Sequence, residues 1–173
     1  MFNIDLKPNL NVTPTFMFWQ STPLMLYLFT IYQILMTNSK FWYLLFIGMI
    51  TGEFINHSLK QIIGKFWKDD YPNVVLRPSC KYACNYIGLQ SKCSGLGMPS
   101  GHSQCTAIFI TMLYLYFQQN DQLTTTKKII LLFILFAIPL SRVYYQCHSF
   151  AQIILGAMVG ILIGFILFKV YTL

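Results

Sequence analysis

Charge is scarce in this chain, and acidic charge scarcer still: Asp and Glu together number five among 173 residues, against twelve Lys and Arg. Only 10% of the chain is charged, whereas 55% is hydrophobic and 17% aromatic; a soluble domain usually carries about a quarter charged residues. Mean hydropathy is positive. The deficit argues against an ordinary water-solvated surface and suits a chain whose main solvent is lipid. In a soluble protein a net charge of +7 would raise nucleic acid as a partner. Here the basic residues gather in loops between apolar runs, so membrane lipids and an anionic lipid substrate are the expected partners, and nucleic acid is not.

Other features are missing as well. Met1 to Pro14 is polar, contains Asp5 and has no basic start leading into an apolar core, so it does not resemble a secretory leader. The first apolar run has no small-residue cleavage pattern after it and reads as a retained span. No tandem repeat or low-complexity tract is present. Cysteine is odd in number, at five. Cys80, Cys84 and Cys93 share one loop, but their spacing is too loose for a zinc site and no His lies between them. No metal and no cofactor are expected. A disulfide in that loop and free thiols both remain open. Cys105 and Cys147 read as small packing residues, and Asp69 and Asp70 as solvated carboxylates on a Lys-rich loop.

A helix crosses the hydrocarbon with about 20 mainly apolar residues. Five stretches suit this: 16–36, 41–63, 99–117, 129–145 and 150–170. The expected fold is all-α, a polytopic membrane bundle of about five transmembrane helices forming a single integral-membrane domain over 1–173. The long basic stretch between the second and third spans would be its catalytic loop. Pro23 is tolerable within a span, where neighbouring groups can satisfy the freed carbonyl. Gly156, Gly160 and Gly164 fall on one face of the last span and read as a helix-packing ridge. Trp19, Trp42 and Trp67 lie near span ends and read as interfacial anchors. Five spans place the N-terminus, the long loop and the turn from Arg142 to His148 on one face. Lys40, Lys127, Lys128 and Lys169 fall on the other, and would favour a cytoplasmic assignment for it.

Ionisable and polar residues beside such spans are costly and tend to be functional. They form three blocks, all on that first face. Glu53, Asn56 and Lys60 lie on one stripe of the second span, with Arg77-Pro78 following in the loop. Gly97-Met98-Pro99-Ser100-Gly101-His102-Ser103-Gln104 opens the third span. Ser141-Arg142, then His148, then Gln152 make the third block. Pro99 suits a first helical turn, which would leave Ser100 and Gly101 to offer amides and a hydroxyl at the positive helix end, an anion site. Arg77 and Arg142 can grip phosphoryl oxygens bidentately, and Lys60 can add a point charge. Of two histidines, one can attack phosphorus while the other protonates the leaving oxygen. His57 has no part in any block and reads as structural.

The three blocks resemble the type 2 phosphatidic acid phosphatase superfamily. Its signature is Lys, six residues, Arg-Pro; then Pro-Ser-Gly-His; then Ser-Arg, five residues, His, three residues, usually Asp. Gly97 to Gln104, the Ser-Arg-Val-Tyr run at Ser141 to Tyr144, the stripe from Glu53 to Lys60 and Gln152 in place of Asp are similar to the dolichyl diphosphate phosphatase branch. The resemblance runs from about Gly52 to the C-terminus. It departs in the first block, where sixteen residues separate Lys60 from Arg77. An insertion within Gly64–Leu76 accounts for this, and Lys65 or Lys68 is the alternative to Lys60.

The resemblance implies a metal-independent lipid diphosphate phosphatase that converts dolichyl or polyprenyl diphosphate to the monophosphate through a phosphohistidine. It implies His148 as nucleophile, His102 as general acid and Gln152 as the residue orienting His148. Lys60, Arg77, Ser100, Gly101 and Arg142 would bind the substrate phosphate. For a eukaryotic host it further implies the endoplasmic reticulum, a lumen-facing site and a link to protein N-glycosylation. Two alternatives stand beside it: a phosphatase for phosphatidate or another lipid monophosphate, and a degenerate relative that binds lipid without catalysis.

Overall fold

The computed structural model describes residues 14–78 and 95–173. Cys80, Cys84, Cys93 and nearly all of the polar N-terminal stretch lie outside the described residues. The order of elements is α1 (Pro14–Thr37), α2 (Lys40–Trp67), α3 (Pro72–Val75), α4 (Gly101–Gln119), α5 (Thr125–Tyr144) and α6 (Phe150–Thr172). Among the described residues the only bridge pairing is a single antiparallel one, Leu76 with Leu96. The all-α expectation holds. Five long helices, of 19 to 28 residues, occupy the five expected stretches. By length and apolar composition, α6 alone among the described helices qualifies to cross a membrane. The others carry polar residues that dilute their apolar windows, such as Asn56 and Lys60 in α2 and the run from His102 to Gln104 in α4.

Local chemistry sets the boundaries. Ser39, Ser100, Thr124 and Ser149 each cap a helix, their hydroxyl oxygens accepting from the amides of Phe41, Ser103, Lys127 and Gln152. Such caps satisfy amides that a helix start would otherwise orphan. Asn38 closes α1 with a positive φ of 47°, a conformation Asn tolerates better than most residues. Two expected boundaries move. The second helix runs past Ile63 to Trp67, because nothing in that turn breaks it. The fourth expected span, which is α5, starts at Thr125, so Lys127 and Lys128 lie in its first turn.

α4 is the axis of the bundle, and every residue from Gly101 to Ile110 is buried. α6 lies against it through the glycine ridge. A Cβ on Gly156 would overlap the Ser100 carbonyl, one on Gly160 the Gln104 carbonyl, and one on Gly164 would sit 3.3 Å from the Ile108 carbonyl. Small residues at four-residue spacing thus bring the two backbones together. At one end Phe41 packs on Tyr116 and Tyr171, and the Lys127 ammonium lies 4.2 Å above the Phe117 ring. Trp42 corrects the interfacial-anchor expectation: it is buried in this core against Phe29 and Phe41, whereas Trp67 is exposed. Around the outside Phe18, Leu28, Leu35, Ile47, Phe54, Phe133, Phe136 and Phe165 all face outward, an apolar exterior suited to association with a membrane.

Candidate active site

The three sequence blocks meet at the other end of the bundle. The third is built by a turn. After α5 the amides of Cys147 and His148 both fold back to donate to the Arg142 carbonyl, at 2.8 and 3.2 Å, with Gln146 at a positive φ of 56°. The five-residue spacing is therefore the length of this turn, which returns His148 beside Arg142. Both are buried, Arg142 completely. Ser149 then starts α6 in a reciprocal capping box with Gln152.

The first block reaches the site despite its stretched spacing. α2 continues for two turns beyond Lys60, Tyr71 donates to the Trp67 carbonyl, and α3 leads into Arg77. Segment 75–77 then runs antiparallel to 95–98: Arg77 donates to the Gly95 carbonyl, and Gly97 and Met98 donate to the Val75 carbonyl. This pairing places Arg77 beside the entry to the second block.

The second block departs from expectation at its start. Pro99 follows a cis peptide bond and precedes the helix; it is not in its first turn. Ser100 is the cap and Gly101 the first helical residue, because a serine oxygen can accept from the first turn and proline's ring has nothing to offer there. The Ser100 amide is not available to an anion, since it donates to the Gln152 carbonyl at 3.0 Å. The Gly101 amide remains at the positive helix end. The Ser100 oxygen accepts from the Ser103 amide and hydroxyl. Behind this turn the Asn56 amide donates to Gln104 and to the Pro99 carbonyl, while Gln104 donates to the Gly52 carbonyl at 2.7 Å. This gives Asn56, in the middle of the stripe on α2, its role: it anchors the loop that precedes α4.

Gln152 joins all three blocks, which sequence reasoning missed. It is fully buried. Its carbonyl oxygen accepts from His148 Nδ1 at 2.9 Å and from the Ser149 amide at 3.2 Å. Its amide nitrogen donates to the Val74 and Leu76 carbonyls, both at 2.7 Å. Two carbonyl acceptors on one side and an N–H on the other fix which way the amide points. His148 Nδ1 therefore carries the hydrogen, and Nε2 bears the lone pair. A carboxylate here would face two carbonyl oxygens. Gly97 leaves room for this side chain, because a Cβ there would lie 2.7 Å from the Gln152 nitrogen. The signal in the sequence was the pairing of Gln152 with a glycine at the motif's head.

Electrostatics complete the cluster. The charges of Arg77, Lys60 and Arg142 all bear on His148, and those of Arg142, His148 and Arg77 on His102. Burial, then those cations, hold the His148 pKa well below its usual value, against the opposing effect of the hydrogen bond it donates to Gln152. Lys60 is half-buried beside this cluster, while Lys65 and Lys68 are exposed, as is His57. Cys147 corrects a further expectation. It is disulfide-bonded and is not simply a packing residue. Cys105 is a buried free thiol.

No curated protein and no solved structure matches the chain. The family model of the PAP2 superfamily matches residues 40–173, a stretch that contains all three blocks. Members of that family are phosphatases acting on phosphate esters, which implies lipid phosphates as the substrate class. The chain belongs to the PAP2 superfamily.

Proposed function

We propose that the protein is a metal-independent polyprenyl diphosphate phosphatase, with dolichyl diphosphate as its substrate, acting through a phosphohistidine at His148. The observation that carries the reading is the Gln152–His148 pair. It holds the ring with Nδ1 protonated and Nε2 as the lone-pair atom, within the field of the Arg77, Lys60 and Arg142 charges. In the first step Nε2 bonds to the terminal phosphorus as the bridging P–O bond breaks, and the departing lipid monophosphate takes a proton from His102. In the second, water attacks the phosphohistidine, His102 recovers a proton from it, and the P–N bond breaks to release inorganic phosphate. Arg77, Arg142, Lys60, the Ser100 hydroxyl and the Gly101 amide bind the phosphoryl oxygens.

The prenyl chain would stay in lipid beside the apolar exterior while the headgroup meets the basic pocket. The preference for a diphosphate rests on the resemblance of Gly97–Gln104 and Gln152 to the dolichyl diphosphate phosphatase branch. The same resemblance supports an endoplasmic-reticulum site facing the lumen, and a disulfide at Cys147 beside the nucleophile suits an oxidising compartment.

The test is phosphate release from dolichyl diphosphate by purified protein in detergent with excess chelator, beside His148→Ala and His102→Ala. Chelator-resistant release lost in both variants is expected. Release from phosphatidate alone would move the substrate to a lipid monophosphate. Release from neither lipid would leave a lipid-binding relative without catalysis.

A further inference from the structure

The family match begins at residue 40, so α1 lies outside it, yet α1 touches the elements that bear both histidines. His102 Nε2 lies 3.0 Å from the Gln20 carbonyl oxygen, and both residues are buried. A carbonyl only accepts, so Nε2 carries the hydrogen. In the imidazolium that acts as the acid both nitrogens carry hydrogen. Since Nε2–H is held by Gln20, the proton given to the leaving oxygen is the one on Nδ1, which is the lone-pair atom again once the proton has left.

A mid-helix carbonyl is normally turned along the helix toward its own partner. Here Pro23 has no N–H to give the Trp19 carbonyl, and its ring pushes that turn open. The Thr22 hydroxyl takes over the orphaned Trp19 carbonyl at 2.7 Å. The next carbonyl along, that of Gln20, is the one that meets His102 on α4. Four and five residues before Gln20, α1 packs on the turn that carries the other histidine. Phe16 stacks edge-on against Tyr145 at 4.9 Å, in a cluster with Cys147, and the Tyr145 hydroxyl donates to Thr15. Thr15, Phe16 and Gln20 thus bring α1 against Tyr145, in the turn that carries His148, and against His102.

We propose that α1 is a positioning element of this phosphatase site. Through the Gln20 carbonyl it fixes the His102 ring so that Nδ1 faces the leaving oxygen. The inference rests on the general-acid role given to His102 above.

The test compares two phosphate esters in detergent. Phosphatidate, offered to the same site as an alternative lipid ester, has an alkoxide leaving group that must be protonated, whereas p-nitrophenyl phosphate has one that departs without a proton. If phosphatidate is not turned over, the imidazole ¹⁵N readout decides. In Pro23→Ala, residue 23 gains an N–H for the Trp19 carbonyl, the turn closes, and the Gln20 carbonyl is drawn back toward the helix axis. General acid catalysis is worth roughly 10²–10⁴-fold, so a misaligned acid should cost about 10- to 100-fold in kcat on phosphatidate. Less than about threefold should be lost on the aryl ester, on the same principle. Thr22→Val, which keeps the proline and removes only the hydroxyl, should show the same selectivity at smaller size and carries the test if Pro23→Ala does not fold. The chain has three histidines, so imidazole ¹⁵N spectra assigned by substitution give a second readout. His102 should be protonated at Nε2 in the parent and lose that preference in Pro23→Ala. His102→Ala serves as the reference. If it lost both esters equally, the acid role itself would fall. If it were selective while both α1 variants were not, only the inference about α1 would be overturned.

Discussion

Gln152 stands where most of the superfamily has a carboxylate, and exchanging it for one should not improve the enzyme. Gln152→Glu keeps the side-chain length and offers His148 a stronger acceptor. It also removes the two N–H donors that hold the Val74 and Leu76 carbonyls, each 2.7 Å away in a buried site. Stranding a buried acceptor costs about 1–3 kcal/mol, and a carboxylate that takes up a proton recovers one of the two bonds. The net loss is then about 1–3 kcal/mol, on the same reasoning. Because segment 74–76 leads directly into Arg77, part of this loss should appear as weaker phosphate binding. With about 1.4 kcal/mol per tenfold, kcat/KM on the diphosphate should fall roughly 5- to 100-fold, with KM raised more than kcat is lowered. Gln152→Asp, shorter by one methylene, reaches neither side well and should fall at least as far in kcat/KM. Initial rates across a substrate series, with thermal unfolding of each variant in the same detergent, measure both parts. An aspartate variant as active as the parent would refute the reasoning, since it would show that orienting His148 is the whole of what Gln152 does.

Three further outcomes are expected. Gly156→Ala sets a methyl against the backbone carbonyl of Ser100, which cannot rotate away. It should move the Ser100–His102 turn and lower both melting temperature and kcat, by about 1–3 kcal/mol as for other overpacked positions, whereas Ala157→Gly on the neighbouring face should cost less. Lys60→Ala should raise KM about tenfold or more, the size of a lost charge-assisted contact, while Lys65→Ala and Lys68→Ala, at exposed positions, should change it little. A larger effect at Lys68 would reassign the first block. Finally, the lowered pKa of His148 makes stability depend on acid. Above about pH 6.5, the unperturbed value, both folded and unfolded states hold it neutral. Below that the unfolded chain binds a proton that the folded one refuses, so stability should fall as pH drops, by up to about 1.4 kcal/mol per unit. In His148→Ala the melting temperature should lose that share of its dependence between pH 6.5 and 5.

The long helices and the three blocks were legible because each rests on local information. Apolar length marks a helix, and Ser or Thr before an apolar run marks its start. Arg142 and His148 keep a spacing that one turn enforces. What the sequence could not show depends on partners far apart in the chain. Hydropathy does not distinguish a lipid-facing tryptophan from a buried one, so Trp42 was misplaced. Pro99 and Ser100 both suit a helix start, and only the cap bond to Ser103 decides between them. The amide of Gln152 was read against the residue it replaces, whereas its second pair of bonds runs to carbonyls 76 and 78 residues away. Backbone carbonyls leave no trace in a sequence motif. The contribution of α1 through Gln20 was hidden for the same reason.

The stretched first block shows how a motif spacing can change without losing its geometry. What the proposed chemistry asks of this block is that an ammonium on α2 and a guanidinium in the following loop reach one phosphate, and both charges do bear on His148. The sixteen intervening residues are spent on continuing α2 to Trp67, turning at Lys68–Tyr71 and returning through α3. That path ends not at a free loop but at a pairing with 95–98 and at the two bonds from Gln152. A longer connection costs closure entropy only slowly, and it needs an anchor at its far end more than a short one does. Gln152 supplies that anchor, and Asp could not, because a carboxylate offers no N–H to a carbonyl. The insertion and the glutamine, two separate departures in the sequence, are thus one structural arrangement. Neither by itself argues for a degenerate site.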